Sequence, residues 1–509
     1  MDILQDELND NRLHAYLQRY INKQQLFNKK LKGLRFCGHT VLQEYNAVFV
    51  VTNGKDTRYS TLIRCHSAWS CPYCSSRVMA QKGADIACAI DALATLYNEY
   101  AAMITFTLPH DKLMSCQDAY EILHDTWHLF TRCGRKAIRS HKYELKADVN
   151  DTNKSYSESG SYKLDKQATK VSKRTGNVVK NGRAWSRGTK NQFDKRAVGK
   201  RGEVKECQIK LTDPWASCRE ELGFNHFVKV YEFTYGDNGW HPHIHMLAWV
   251  PKENLQRFTK YEDRLLQKWW ACAKKAALKY YNKTYPDRIE ENKARVESVY
   301  ADYKMYPKDD HRSVYLSKDK SGKVIAQKSS YYISGWSGNM ELTGSCNAKH
   351  AHEGHYTPFQ LVQMSCASAA KESIFMPLFI EYAITVHGHR RVEFSSRTGI
   401  TDIIRKWKAS EQYIITVKKK FTETNSVRWK VVAWFDKEQW YDICEWDITI
   451  DEEIRKTILE LARAPDPWLA IAEYVINFGV KLHDREHPSQ SRFEANIYEN
   501  KMRDSLIAC

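Results

Sequence analysis

One segment restricts the fold of this chain more than any other: residues 227–250, "FVKVYEFTYGDNGWHPHIHMLAWV". Two β-prone runs flank Gly236-Asp237-Asn238-Gly239, the composition of a tight hairpin turn. With Asp237-Asn238 as a two-residue turn, Glu232 lies across from His243 and Val230 across from His245. Side chains alternate along a strand, so His241, His243, His245, Glu232 and Thr234 share one face. A longer turn would shift the register and separate Glu232 from the imidazoles. Two imidazoles and a carboxylate form a compact divalent-metal site with positions open to substrate oxygens. Mixed nitrogen and oxygen ligation suits Mn²⁺ or Mg²⁺ acting on a phosphate, although Zn²⁺ also binds such ligands. The alternative is the polar outer face of an amphipathic strand.

The charge balance narrows the partner. The 509 residues carry 78 Lys and Arg against 61 Asp and Glu, a formal charge of +17. That excess favours a polyanion, nucleic acid first, over a merely solvated basic face. Fifteen Trp and 29 Tyr add surfaces on which single-stranded bases can stack. No run of 18 apolar residues occurs, which argues against a membrane span or membrane partner. The opening "MDILQDELNDNRLHAYLQRY" is acidic and then amphipathic, unlike a secretory leader, so a cytoplasmic location is expected.

The 14 cysteines are scattered along the chain, as reduced thiols would be, and not arranged as a disulfide framework. Only one group is tightly spaced. Cys65, Cys71 and Cys74 form C-x5-C-x2-C, with Cys71-Pro72-Tyr73-Cys74 as a tight knuckle suited to structural Zn²⁺. A redox C-x-x-C pair is the alternative.

A coarse reading along the chain predicts an α+β protein. Residues 11–30 read as a helix, "AVFVV" as a short β run, 101–108 as a buried strand and 116–132 as a helix. Residues 151–200 hold 13 Lys and Arg against 4 Asp and Glu, with little apolar periodicity. A basic flexible insertion at about 145–205, touching phosphates non-specifically, is the expectation there. A long helix at about 252–280, short strands at 293–300 and 312–317, and a helix at 328–336 follow. Residues 426–435 alternate like a strand, and 452–462 carry Ile454, Ile458 and Leu461 on one helical face. At about 150 residues per domain, roughly three domains are expected.

Phosphate chemistry at such a metal needs a nucleophile. The chain has no Gly-x-Ser-x-Gly elbow and no Gly-x-x-x-x-Gly-Lys-Ser/Thr phosphate loop, which argues against ATP hydrolysis. Tyrosine is a poor nucleophile at its unperturbed pKa of about 10. A metal on the target phosphate and a nearby cation offset that. The Tyr331-Tyr332 pair is a candidate, though spacing alone does not select Tyr332.

Taken in order, several blocks resemble one family. "GDNGWHPHIHML" is similar to the metal motif of the HUH endonucleases, and the replication initiators of small rolling-circle plasmids match best. "RCHSAWSCPYCSSRV" (64–78) resembles their N-terminal cysteine block and "MITFTLPH" (103–110) their first strand motif. "YYISGWSGNMELTG" (331–344) resembles the nucleophile helix, and "TPFQL" (357–361), "LFIEYA" (378–383) and "EFSSRTGI" (393–400) the downstream blocks. The resemblance implies an HUH/RRM-like nuclease core, a central antiparallel sheet with flanking helices. It adds an N-terminal zinc-binding lobe and a C-terminal α/β region.

It also implies an activity: metal-dependent nicking of one strand at a plasmid origin, in a prokaryotic cytoplasm. A 5′-phosphotyrosine intermediate is later rejoined, and a free 3′-OH passes to a host polymerase and helicase. The metal histidines map onto His243 and His245 and the acidic ligand onto Glu232, with His241 as a further candidate. Tyr332 matches the nucleophile, with Tyr331 and Tyr315 ("YLSK", 315–318) as alternatives. Gly335 stands where the family has lysine, and Lys328, one turn earlier, could supply the cation. Glu341 is a candidate for the water-activating residue that ends a round. Cys37 joins Cys65, Cys71 and Cys74 as the fourth zinc ligand, with His39 or His66 as substitutes. The expected division is 1–95 for the N-terminal helix and zinc lobe, 96–345 for the nuclease core and 346–509 for an accessory region. A zinc-containing DNA-binding protein without nicking activity and a single-strand transposase of the same superfamily remain alternatives.

Overall fold

A computed structural model of the chain describes residues 3–131, 213–300, 314–324, 355–367, 374–413 and 429–494, apart from short gaps, together with four short strands between 141 and 207. The main strands are β1 (Ala47–Thr52), β2 (Thr57–Ser60), β3 (Glu99–Thr107), β4 (Phe227–Gly236), β5 (Gly239–Pro251), β6 (Val314–Leu316), β7 (Val392–Phe394) and β8 (Lys430–Asp436). The helices used below are α1 (Ile3–Lys23), α2 (Pro72–Tyr97), α3 (Cys116–Thr131), α4 (Pro214–Leu222), α5 (Glu262–Thr284), α6 (Ile289–Val299), α7 (Pro358–Ala367), α8 (Phe375–Thr385), α9 (Ile400–Lys408), α10 (Lys437–Thr449) and α11 (Ile454–Leu461). The architecture is α+β with antiparallel sheets and flanking helices.

The central sheet has the order β6-β3-β5-β4-β7, which puts the histidine strand β5 in the middle. Its turn is the two-residue Asp237-Asn238 turn, with Gly236 paired to Gly239, Glu232 to His243 and Val230 to His245. Strand β3 runs antiparallel along the other edge of β5, with Thr105 opposite His245 and Thr107 opposite His243.

Both faces of this sheet are covered, which explains why β3 and the second half of β5 are continuously apolar. On the histidine side, Leu247 and Trp249 pack with Val228, Val230, Ile86 and Leu93 of α2, and Ile404 and Trp407 of α9. Fully burying one such side chain contributes about 1.5–3 kcal/mol relative to leaving it exposed. On the other side, Tyr120 of α3 stacks on Phe233, and Tyr382 of α8 stacks on Trp240. The α3 start is a reciprocal cap: Ser115 Oγ accepts from the Asp118 amide, and Asp118 accepts from the Ser115 amide.

A second sheet, β8-β1-β2, joins chain segments nearly four hundred residues apart, with Ala47 paired to Asp436 and Thr52 to Lys430. Its apolar face packs on α10 and α11 through Trp440, Ile443, Ile454 and Ile458. Gln18 of α1 bonds the Leu34, Arg35 and Cys37 carbonyls and also accepts from Arg455. Arg455 is in turn paired to the fully buried Asp447 at 2.6 Å.

The contacts group the chain differently from the linear division 1–95, 96–345 and 346–509. The chain divides into one compact unit of residues 1–123, 225–255 and 315–509, and a second of 124–224 and 256–314. Segments 47–60 and 430–436 share one sheet, so the N-terminal and C-terminal parts of the chain pack into the same unit. The second unit contains α4, α5 and α6, where Trp215, Phe130 and Trp269 form an aromatic cluster. Lys268 bridges to Asp213, the residue that caps α4.

Three local expectations are revised. Residues 293–299 belong to helix α6 and not to a strand, with Tyr300 at its C-terminal cap, since Asn292, Val296 and Tyr300 bury one helical face. The helix expected at 252–280 opens with a 3₁₀ segment, Lys252–Tyr261, before α5 begins. In α11 the buried set is Ile454, Ile458 and Leu459, with Leu461 at its edge. The expected helix at 328–336 lies outside the described residues. Among the described residues, no helix is long and apolar enough to cross a membrane.

Candidate metal centres

Two groups of ligand-type side chains are built into the first unit. The first sits on the histidine face of β5. Glu232 faces His243 in the ladder but reaches diagonally to His245, where its Oε2 lies 2.6 Å from Nε2. Both partners are largely buried, at 12% and 7% side-chain exposure. The rings of His243 and His245 lie nearly parallel with centroids 6.1 Å apart, as expected two residues apart on one strand face.

Strand β3 orients these rings. Thr107 Oγ1 is 3.0 Å from His243 Nδ1, and Thr105 Oγ1 is 2.9 Å from His245 Nδ1. When Nδ1–H donates to the hydroxyl, Nε2 carries the lone pair that a metal takes. Neither threonine stands out in the sequence, because nothing local to "MITFTLPH" says which hydroxyls will face the histidines. The pairing of β3 with β5 decides it.

Two imidazoles and one carboxylate share one face of the sheet, and hydroxyl partners hold the rings from behind. Glu232 and His245 are thus within direct hydrogen-bond distance of one another.

His241 continues the same row, its ring 6.4 Å from that of His243, and it also meets two further imidazoles, His110 at 4.0 Å and His355 at 5.0 Å. Burial, with help from His110 and His355, pushes its pKa down to about 3. Neither His110 nor His355 is singled out by spacing, because each arrives from a loop distant in the chain.

The second group is the thiol cluster. The sulfurs of Cys37, Cys65, Cys71 and Cys74 all lie within 4.8 Å of one another. Cys37 Sγ is 3.6 Å from Cys74 Sγ and 3.7 Å from Cys71 Sγ. Tetrahedral zinc with bonds of about 2.3 Å separates its sulfurs by about 3.8 Å, so the cluster is already close to ligation geometry. It could therefore hold a metal ion such as zinc. Local sequence explains the shape. Cys71 caps α2, its Sγ accepting from the Cys74 amide, and Pro72 supplies the first helical position. Hydrogen bonds from Cys65, Cys71 and Cys74 hold the Cys37 thiol far below the usual range. The Arg64 and Arg77 guanidinium groups both lie over the Tyr73 ring of the knuckle, at 3.8 and 4.4 Å. His39 pairs instead with Gln18, so among the candidate fourth ligands it is Cys37 that joins the cluster.

The remaining candidates fall elsewhere. Lys328, Tyr331, Tyr332, Gly335 and Glu341 lie outside the described residues. Tyr315 has its backbone in β6, at the edge of the central sheet. Comparison with family models, with curated proteins and with solved structures returns no match.

Proposed function

We propose that this chain is a metal-dependent DNA nicking and joining enzyme of the HUH endonuclease type, and within that class an initiator of rolling-circle replication. The observation that carries the reading is the Glu232, His243 and His245 set on the β4–β5 hairpin, with Thr105 and Thr107 holding the imidazoles from behind. The net charge of +17 and the ordered sequence blocks support a DNA substrate.

Glu232, His243 and His245 would hold Mn²⁺ or Mg²⁺, and the tetrathiolate cluster a structural Zn²⁺. When bound, the divalent ion supplies charge stabilisation at a non-bridging phosphate oxygen. The protein's own contribution is positional. Strand β5 is fixed by packing at its Leu247–Trp249 end, so ligands at its other end are held in place before substrate arrives. Tyr332 is the proposed nucleophile. Its phenolic oxygen forms a bond to the scissile phosphorus and loses its proton, while the bond to the 3′ oxygen breaks and that oxygen gains a proton. The resulting 5′-phosphotyrosine ester keeps the energy for rejoining, so no ATP is consumed.

The test uses a random pool of 3′-labelled single-stranded oligonucleotides with MnCl₂, analysed on denaturing gels. Label is expected to travel with the protein for the wild type and to be lost in Tyr332→Phe and His243→Ala. Sequencing the captured strands gives the nick site. Specific binding to the pool with no covalent label would favour the zinc-containing DNA-binding reading. Adducts that persist in Tyr332→Phe would move the nucleophile to Tyr331 or Tyr315.

A further inference from the structure

His241 lies on the same strand face as His243, yet its neighbours come from two other chain segments. Leu108 N bonds the Pro242 carbonyl, which extends β3 pairing and carries His110 alongside His241. The His110 Nδ1–H donates to the Leu108 carbonyl at 3.1 Å, which presents Nε2 outward. His355 arrives differently. Tyr356 and Tyr235 exchange both backbone hydrogen bonds, at 2.7 and 2.8 Å, and this bridge pins the 355 segment beside the end of β4.

The two turn glycines make room for these approaches. A Cβ at Gly236 would stand 2.4 Å from His355 Nδ1. Gly239 has φ +87°, and a Cβ there would lie 3.2 Å from the Asp111 carbonyl, next to His110. The hairpin thus has glycine at both positions where a histidine-bearing segment closes in. Among the described hydrogen bonds, His241 Nε2 is buried with no partner. An orphaned buried nitrogen costs about 1–3 kcal/mol unless something satisfies it.

We propose that His110, His241 and His355 form a three-imidazole site for a divalent transition metal of the zinc type, separate from the Glu232, His243 and His245 set. Three imidazole nitrogens are donors that match zinc and its neighbours and not Mg²⁺. Tetrahedral ligation at about 2.0–2.1 Å places ring centres about 5 Å apart; the His241–His355 separation is 5.0 Å, and His110 sits nearer to His241, at 4.0 Å. Among the described residues only the four thiols have ligand atoms already converged within 4.8 Å, so the imidazoles must tighten by ring rotation on loading. A fourth position stays open to water or an oxyanion. The ion would staple the 108–111 loop and the 355 segment across the mouth of the hairpin. This assignment stands on the three imidazoles alone and is independent of the nicking reading.

The test counts zinc in the full chain. Wild type, His110→Ala, His355→Ala, His243→Ala and the His110→Ala/His243→Ala double variant are stripped, incubated with excess ZnCl₂, dialysed and measured by atomic emission. His110→Ala and His355→Ala are each expected to lose one zinc equivalent. Their cobalt forms should keep the thiolate-to-metal charge-transfer band of the cysteine cluster, which reports a folded lobe. Unchanged zinc content in both variants would overturn the proposal. So would a double variant that loses no more zinc than either single one, since that would make the two groups one site. X-ray absorption at the zinc edge of the wild type is a measurement free of any folding defect. Nitrogen-ligated zinc that disappears in His355→Ala supports the site, and thiolate-ligated zinc alone overturns it.

Discussion

The Thr105 hydroxyl lies 2.9 Å from Nδ1 of His245, directly across the β3–β5 boundary. Thr105 is 1% exposed, so no water can take over this contact. Thr105→Val keeps the shape and removes the partner that fixes the ring. Loss of such a supporting hydrogen bond costs roughly 10–100-fold in metal affinity. We expect Mn²⁺ binding, followed by electron paramagnetic resonance, to weaken by that factor while thermal unfolding changes little. Unaltered affinity would mean that the threonine merely fills space.

The thiol cluster predicts a stability effect. Cys71 both caps α2 and offers a ligand, so Cys71→Ser should release zinc and loosen the α2 start together. Structural zinc sites contribute folding free energy directly, here on the order of several kcal/mol. Thermal melts of the purified variant, with and without added ZnCl₂, should both show the lowered midpoint. Wild type treated with a strong chelator should fall to the same value, and a melt insensitive to chelation would count against zinc at this site.

Asp447 and Arg455 are a buried ion pair that tethers the C-terminal helices to Gln18 of α1. Removing one partner strands a charge in the core, which costs about 3–5 kcal/mol. Asp447→Ala is therefore expected to be strongly destabilised in urea titrations. The double variant Asp447→Leu with Arg455→Met should recover most of the loss, because both charges leave together.

Glu99, at the first position of β3, supplies the pH dependence. Burial raises its carboxyl to about 7 from an ordinary 4.5. The folded state thus holds a proton that the unfolded state has released between those values, so this group's contribution to stability falls as pH rises through that window. Discounted for partial exposure, the effect is on the order of 1 kcal/mol. Glu99→Gln should flatten the decline between pH 4.5 and about 7, and identical pH profiles for the two proteins would remove Glu99 as its source.

What the sequence disclosed, and what it withheld, follows from the range of the interactions. The Glu232–His243 register is legible because a two-residue turn fixes every pair in its hairpin. The cysteine knuckle is legible because Cys71 and Cys74 act within one helical turn. Thr105, Thr107, His110 and His355 gain their meaning only from long-range pairing, which local spacing does not encode. The same holds for β8, whose partner β1 lies at the other end of the chain. Residues 293–300 were misleading because two valines and a tyrosine look β-prone, while the spacing of Asn292, Val296 and Tyr300 buries a helical face.

Strand β5 is an anchor at one end and an instrument at the other. Trp249 and Leu247 are locked in the core, and three imidazoles extend from the same ribbon toward the turn. Thermal jitter at the ligands is thereby governed by the stiffness of a five-stranded sheet and not by any surface loop. The spacing of the nitrogens along β5 is set by the pleat itself.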